Sequence, residues 1–176
     1  MYLVLKIHQI CRNIKLKKFS THKDKILVSP LSIFNEFWGS YLMKFESFYK
    51  LSENGIDMYE SNEFEACGYK WKLIIYPNGD DNIEGNDYIS VYLAIANDSS
   101  LPGGWEANAV FSFFLFNHLC ENYLVIRGQV LRFHKVKSKW GFSKFISHKA
   151  LKEQSDGYLV DDSIIIGAEV FVVKSQ

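Results

Sequence analysis

Hydrophobic and polar positions alternate with period two along most of the chain past residue 40. In "YKWKLIIY", Tyr69, Trp71, Leu73 and Ile75 fall on one face and Lys70, Lys72, Ile74 and Tyr76 on the other, which predicts a β-strand over 69–76. Pro77-Asn78-Gly79 then stops the strand. Proline fixes φ and lacks a donor, and Asn-Gly accepts positive φ at little cost, so a hairpin-like turn is expected there. Similar patterns predict strands over 41–48, 58–66, 88–96, 105–117, 122–134 and 163–173, with a break at Gly68. In "YISVYLAI", Ile89, Val91, Leu93 and Ile95 make a core face, while Tyr88, Ser90, Tyr92 and Ala94 make the other. Tyrosines turned away from an aliphatic face are either partly wet structural residues or a recognition surface. Seven or eight strands with almost no long helical pattern predict an all-β, antiparallel β-sandwich.

The first 40 residues follow another rule. Leu3, Ile7, Ile10 and Ile14 recur at helical spacing among Lys6, Arg12, Lys15, Lys17 and Lys18. Three readings are open to this segment: a basic amphipathic helix on a membrane, a targeting peptide, or a loosely docked or disordered extension. Ser29-Pro30 has the form of an N-cap followed by proline at the first helical position, which predicts a short helix over 31–38. Residues 1–40 carry seven Lys or Arg against Asp24 and Glu36, while the remainder holds thirteen against eighteen acids. This shift sets an expected boundary, with a basic extension over 1–40 and a domain over 41–174.

At 176 residues the chain can bury one substantial core, and 48% apolar residues argue for a globular chain. The 16% aromatic content suits a sheet. A formal net charge of zero supplies no global field toward nucleic acid or an acidic membrane. Cys11, Cys67 and Cys120 include no CxxC spacing and read as reduced, buried thiols of a cytoplasmic or nuclear protein. No apolar run approaches the roughly 20 residues of a membrane span, and Lys6 and His8 interrupt the N-terminal stretch in a way a secretory signal does not. Asn97-Asp98-Ser99 is a glycosylation sequon that has meaning only on a secretory route.

Catalytic and metal motifs are missing from the sequence. It has no GxSxG elbow, phosphate-binding glycine loop or HExxH. His118 and Cys120 lack the further ligands a zinc site needs. "DDNIEGND" starts like a calcium loop, but Val91 stands where the closing glutamate belongs. Asp161 and Asp162 precede Ser163 without an oriented histidine. Neither an enzyme nor a bound cofactor is expected.

Several ordered strings are more specific. "FEACGYKWKLIIYPNGD", "DYISVYLAI", "SSLPGGWEANAVFSFFLFN", "LRFHKVKSKWGFSKFI" and "DGYLVDDSIIIGAEVFV" resemble, in order, a MATH (meprin and TRAF homology) domain of the kind abundant in plants. The resemblance covers residues 41–173. It implies an eight-stranded antiparallel TRAF-like sandwich, without catalytic activity, that binds short extended peptides of partner proteins along one sheet. In many such proteins the domain serves a ubiquitin ligase, and in others it accompanies a ubiquitin-specific protease or a trimerising coiled coil.

By resemblance to the speckle-type BTB adaptor branch, the peptide groove falls on Tyr92, Phe111, Leu131, Trp140 and Phe142. Two positions depart from that branch. Leu131 stands in place of an aromatic residue, and Lys139 in place of an acid directly before "WGF". Trp140, Phe142 and Phe111 are equally readable as core residues, whereas Trp71 and Trp105 are expected to be structural. The alternative to a peptide groove is a structural or decoy partner that associates with other MATH-type proteins through a sheet edge.

Overall fold

Alternation becomes two sheets in the computed structural model, which describes residues 38–80 and 87–173. The first sheet is formed by β1 (Trp38–Glu46), β6 (Glu106–Asn117), β7 (Asn122–Arg127), β8 (Leu131–His134) and β10 (Ser163–Val173), in the order β1-β10-β6-β7, with β8 also on β6. The second is formed by β2 (Tyr59–Glu60), β3 (Phe64–Ala66), β4 (Tyr69–Tyr76), β5 (Tyr88–Ile95) and β9 (Lys139–Ser147), in the order β2-β4-β5-β9, with β3 also on β4. Both sheets are antiparallel. Because β2 and β3 share β4 as neighbour, and β7 and β8 share β6, the ten segments fill eight strand positions, four per sheet. This is the all-β, TRAF-like sandwich anticipated from the sequence.

The core follows the predicted parity. Trp71, Leu73 and Ile75 of β4 face Ile89, Val91, Leu93 and Ile95 of β5, and all are buried. Phe111, Phe113, Leu115, Ile164, Ile166, Ala168 and Val170 fill the layer from the other sheet. Trp71 is fully buried; its indole N–H donates to the Ala66 carbonyl at 3.0 Å, and its ring meets Phe133 edge-on at 5.1 Å. An aromatic residue of this size supplies several kcal/mol of burial (roughly 3–5 if truncated) while its one polar group stays satisfied.

The turns also have local causes. Cys67 and Gly68, with φ of 54° and 80°, make the two-residue link between β3 and β4. Positive φ at both central positions is what a tight hairpin with native twist requires. At the other end of β4, the Gly79 N–H donates to Tyr76 O at 3.2 Å, closing the turn at Pro77-Asn78. A helix, α1 (Phe48–Glu53), follows β1, and Asp162 caps its start: its backbone oxygen accepts from Ser47 and Phe48, and its carboxylate accepts from Tyr49 N at 2.9 Å. The second helix is α2 (His148–Lys152), capped by Ser147. No helix among the described residues is long and apolar enough to cross a membrane.

Several boundaries differ from expectation. Trp38 belongs to β1 rather than to a helix over 31–38, and the rest of that predicted helix lies outside the described residues, as do the amphipathic stretch from Leu3 to Ile14 and the acidic loop positions 81–86. Strand 41–48 begins and ends earlier, since Ser47 takes φ 85° and Phe48 enters α1. The runs 58–66 and 122–134 each divide in two. His118 and Cys120 occupy the turn after β6, where Asn117 Oδ1 accepts from Leu119 and Cys120 N–H groups at 2.9 Å; Cys120 is exposed there and Cys67 only partly buried, so neither is the buried thiol expected. β9 was not anticipated as a strand.

Candidate functional site

The site residues named from the sequence divide among three places. Tyr92 lies on the outer face of the second sheet. Leu131, Trp140 and Phe142 line the lateral seam where β8 and β9 pass from one sheet to the other. Phe111 is 2% exposed, wedged between Phe113 and Phe133 with ring centroids at 5.2 and 6.2 Å, and belongs to the core. Its strand is apolar on both faces, so parity alone could not place it.

The seam is built by pairing. In β9, Trp140 stands opposite Leu93 and Phe142 opposite Val91, so both point inward toward the gap between the sheets. Phe142 meets Phe113 edge-on at 6.0 Å. Trp140 donates from its indole nitrogen to the Arg132 carbonyl of β8 at 2.8 Å, fastening β9 to the opposite sheet. Leu131 packs on the core from β8, and it stays partly exposed, as do Trp140 and Phe142. β9 ends its sheet: among the described residues it pairs with β5 alone. An end strand presents unpaired backbone donors and acceptors, the template for adding an extended segment.

Tyr92 is held beside this edge. It pairs with Gly141 of β9, where a Cβ would collide with the Val91 carbonyl and come within 2.8 Å of Tyr92 Cδ1, so the tyrosine ring occupies the space a side chain would need. The Tyr92 hydroxyl donates to the Asp80 carboxylate. Asp80 is positioned in turn by Ser90, a buried serine whose Oγ accepts from Asp80 N at 3.0 Å and donates to Ser143 O at 2.7 Å. Ser90 sits where the β5–β9 register shifts, which frees it from the regular ladder. Burial first, and then the hydrogen bond to Asp80, push the Tyr92 pKa well above the ordinary tyrosine range, so the ring remains neutral. Tyr76 meets Tyr92 edge-on at 5.9 Å.

Lys139, the departure noted in the sequence, joins this cluster. Its Nζ lies 4.8 Å from the Tyr92 ring centroid and 5.3 Å from that of Tyr76, and it donates to the Tyr76 hydroxyl at 3.2 Å. Lys137 Nζ lies 3.3 Å over the Trp140 ring. Two ammonium groups therefore rest on the aromatic faces along β9. Both the lysine and the tyrosine are named from the sequence, but the chain of hydrogen bonds from Tyr92 through Asp80 to Ser90 is not visible there, because it depends on a bulge and a turn rather than on any motif.

A two-sheet sandwich of eight strand positions with an aromatic open edge defines a TRAF-like protein-interaction domain. A family model for the MATH domain matches residues 40–170, and the chain belongs to that family. It is 38% identical over 114 residues to ubiquitin C-terminal hydrolase 12 of Arabidopsis thaliana, covering 65% of this chain and 10% of the hydrolase. A MATH domain and coiled-coil domain-containing protein of the same plant is 33% identical over 114 residues, covering 65% of this chain and 37% of that protein. TNF receptor-associated factor homolog 1b, also from Arabidopsis thaliana, is 32% identical over 152 residues, or 81% of this chain and 13% of its own length. The chain thus spans only a minor part of the length of each of these relatives.

Proposed function

We propose that this MATH domain binds short, extended peptide segments of partner proteins along the β8–β9 side of the sandwich, and that it recognises targets in a ubiquitin-ligase or deubiquitinase pathway. The observation that carries the reading is the open edge of β9, bordered on one side by Leu131, Trp140 and Phe142 and on the other by Tyr92. An incoming strand adds backbone hydrogen bonds to β9, and alternate side chains meet the seam and the Tyr92 face. Aromatic side chains held by hydrogen bonds, as Trp140 and Tyr92 are, lose little rotamer freedom on binding. The relatives named for ubiquitin hydrolysis and TNF-receptor association support the pathway, which is proposed for this chain as the recognition part and not as the chemistry.

The test is an array of short peptides probed with the full chain, Tyr92→Ala and Trp140→Ala, each variant checked for folding by circular dichroism. Specific binding that Tyr92→Ala loses while remaining folded is the expected result. Binding that both folded variants retain places recognition elsewhere. Mass that rises with concentration, without peptide binding, would favour association through the β9 edge itself.

A further inference from the structure

The open edge is also built from a basic segment. Residues 122–152 hold eight Lys or Arg and no Asp or Glu, in a chain whose net charge is zero. Some of that charge is answered from elsewhere. Arg132 pairs with Glu106, and burial raises the Glu169 pKa while the nearby Arg127 charge opposes that rise. Lys135, Lys137 and Lys139 are different. They are exposed, alternate along the turn and into β9, and have no carboxylate at salt-bridge distance among the described residues. Lys137 and Lys139 rest instead on aromatic rings.

We infer that the extended peptide taken by this edge is acidic, and that it carries an Asp or Glu opposite Lys139 with a bulky apolar residue two positions away. The inference rests on the proposed peptide-binding function and adds the ligand's chemistry. The spacing follows from strand geometry. Successive side chains on one face of a strand come from alternate residues, and a partner strand places its own directly opposite. Lys139 and Gly141 are two apart on the outer face. The residue opposite Gly141 meets no β9 side chain, so it can reach over the glycine to the Tyr92 ring. The Lys139 ammonium lies over β5 and β4, hydrogen-bonded to the Tyr76 hydroxyl, and this exposed, flexible side chain has to swing outward to give its further donors to a carboxylate on the residue opposite. Polyanions such as RNA share the charge but not the strand-edge hydrogen bonding or the apolar contact, which a peptide supplies.

The experiment titrates the full chain against a library of fluorescent decapeptides. Each sequence is made in three versions, with Glu, Gln or Lys two residues from a Leu or Tyr. The Glu version should bind about fivefold tighter than the Gln version at low salt, as an exposed ion pair allows, and the gap should narrow as salt is raised. K139Q should erase the preference and K139E should reverse it toward the Lys version, both with the unchanged circular dichroism expected for an exposed position. Equal affinity for the Glu and Gln versions overturns the acidic preference but leaves peptide binding standing. Binding by none of the peptides overturns both. Displacement of the acidic peptide by a poly-uridine 20-mer at equal or lower concentration shows a general polyanion surface and overturns the inference as well.

Discussion

The sandwich has two lateral seams, and they are made in opposite ways. Along one, β1 meets β3. Gly39 brings its backbone so close that an added Cβ would strike the Ala66 side chain and lie 2.8 Å from the Glu65 carbonyl. Tyr41 stacks on Phe64 at 4.9 Å, and Cys67 Sγ accepts from Val172 N at 3.4 Å across the sheets. Along the other, β8 meets β9 through Trp140 and its indole hydrogen bond, and beyond it stand exposed lysines. The contrast teaches where this fold places stability and where it leaves surface for the proposed recognition. A tightly apposed seam excludes a third strand. A seam closed by one tryptophan keeps an edge available at small cost, and its lysines oppose unwanted pairing with copies of the same edge by charge repulsion.

The comparison can be broken most severely at Trp71, which ties the two sides together through Ala66 O on one and Phe133 on the other. Trp71→Ala should cost about 3–5 kcal/mol, measured by urea unfolding. A loss below about 1 kcal/mol would mean that the seams are held independently of it. Next comes the tight seam itself: Gly39→Val should cost about 1–3 kcal/mol through overpacking against backbone that cannot yield. A neutral result would show that β1 and β3 part easily and that the contrast between the seams is false.

The smallest effect concerns a contact at neither seam. Burial and then the negative charge of Asp162 push the Tyr49 pKa from 10.0 to about 12. The unfolded chain therefore releases this proton before the folded one does. Its contribution to stability is complete below pH 10, falls as pH rises above that value and is gone once pH passes through 12. Tyr49→Phe should flatten that alkaline decline in thermal melts taken between these two pH values. An unchanged slope would assign the decline to Tyr41, Tyr92 and Tyr158, whose pKa values burial also raises.

Much of this was legible in the residues. Period two in 69–76 and 88–95 placed Trp71, Leu73, Val91 and Leu93 inside and Tyr92 outside, because a half-buried strand has only one face to hide. Ser90 and Ala94 were read on the outer face, yet both are buried; Ala94 is small and lies between Lys72 and Lys139 of the flanking strands. β9 escaped notice for two reasons. The register shift between Ile89 and Val91 breaks its alternation, so that Phe145 and Ile146 are buried side by side. Its lysines and central glycine also dilute the apolar signal. Apart from Tyr92, which alternation also turns outward, the site residues rest on ordered motifs and not on periodicity, and so they include Phe111 though its ring is sealed in the core.

The order of strands also sets a schedule for synthesis. β10 lies between β1 and β6, with Trp38 opposite Phe171 at one end of the longest pairing among the described residues. A ribosome delivers β1 first and β10 last, so the first sheet has a missing middle until nearly all of the domain has emerged. The second sheet, made of strands from 59 to 147, can pair earlier, but half of its inner surface has nothing to rest on until then. Long separations between paired strands slow folding and extend the time for which apolar faces are open to chaperones or to aggregation. Truncation within the eleven residues of β10 should for that reason be far more damaging than its distance from the proposed site suggests.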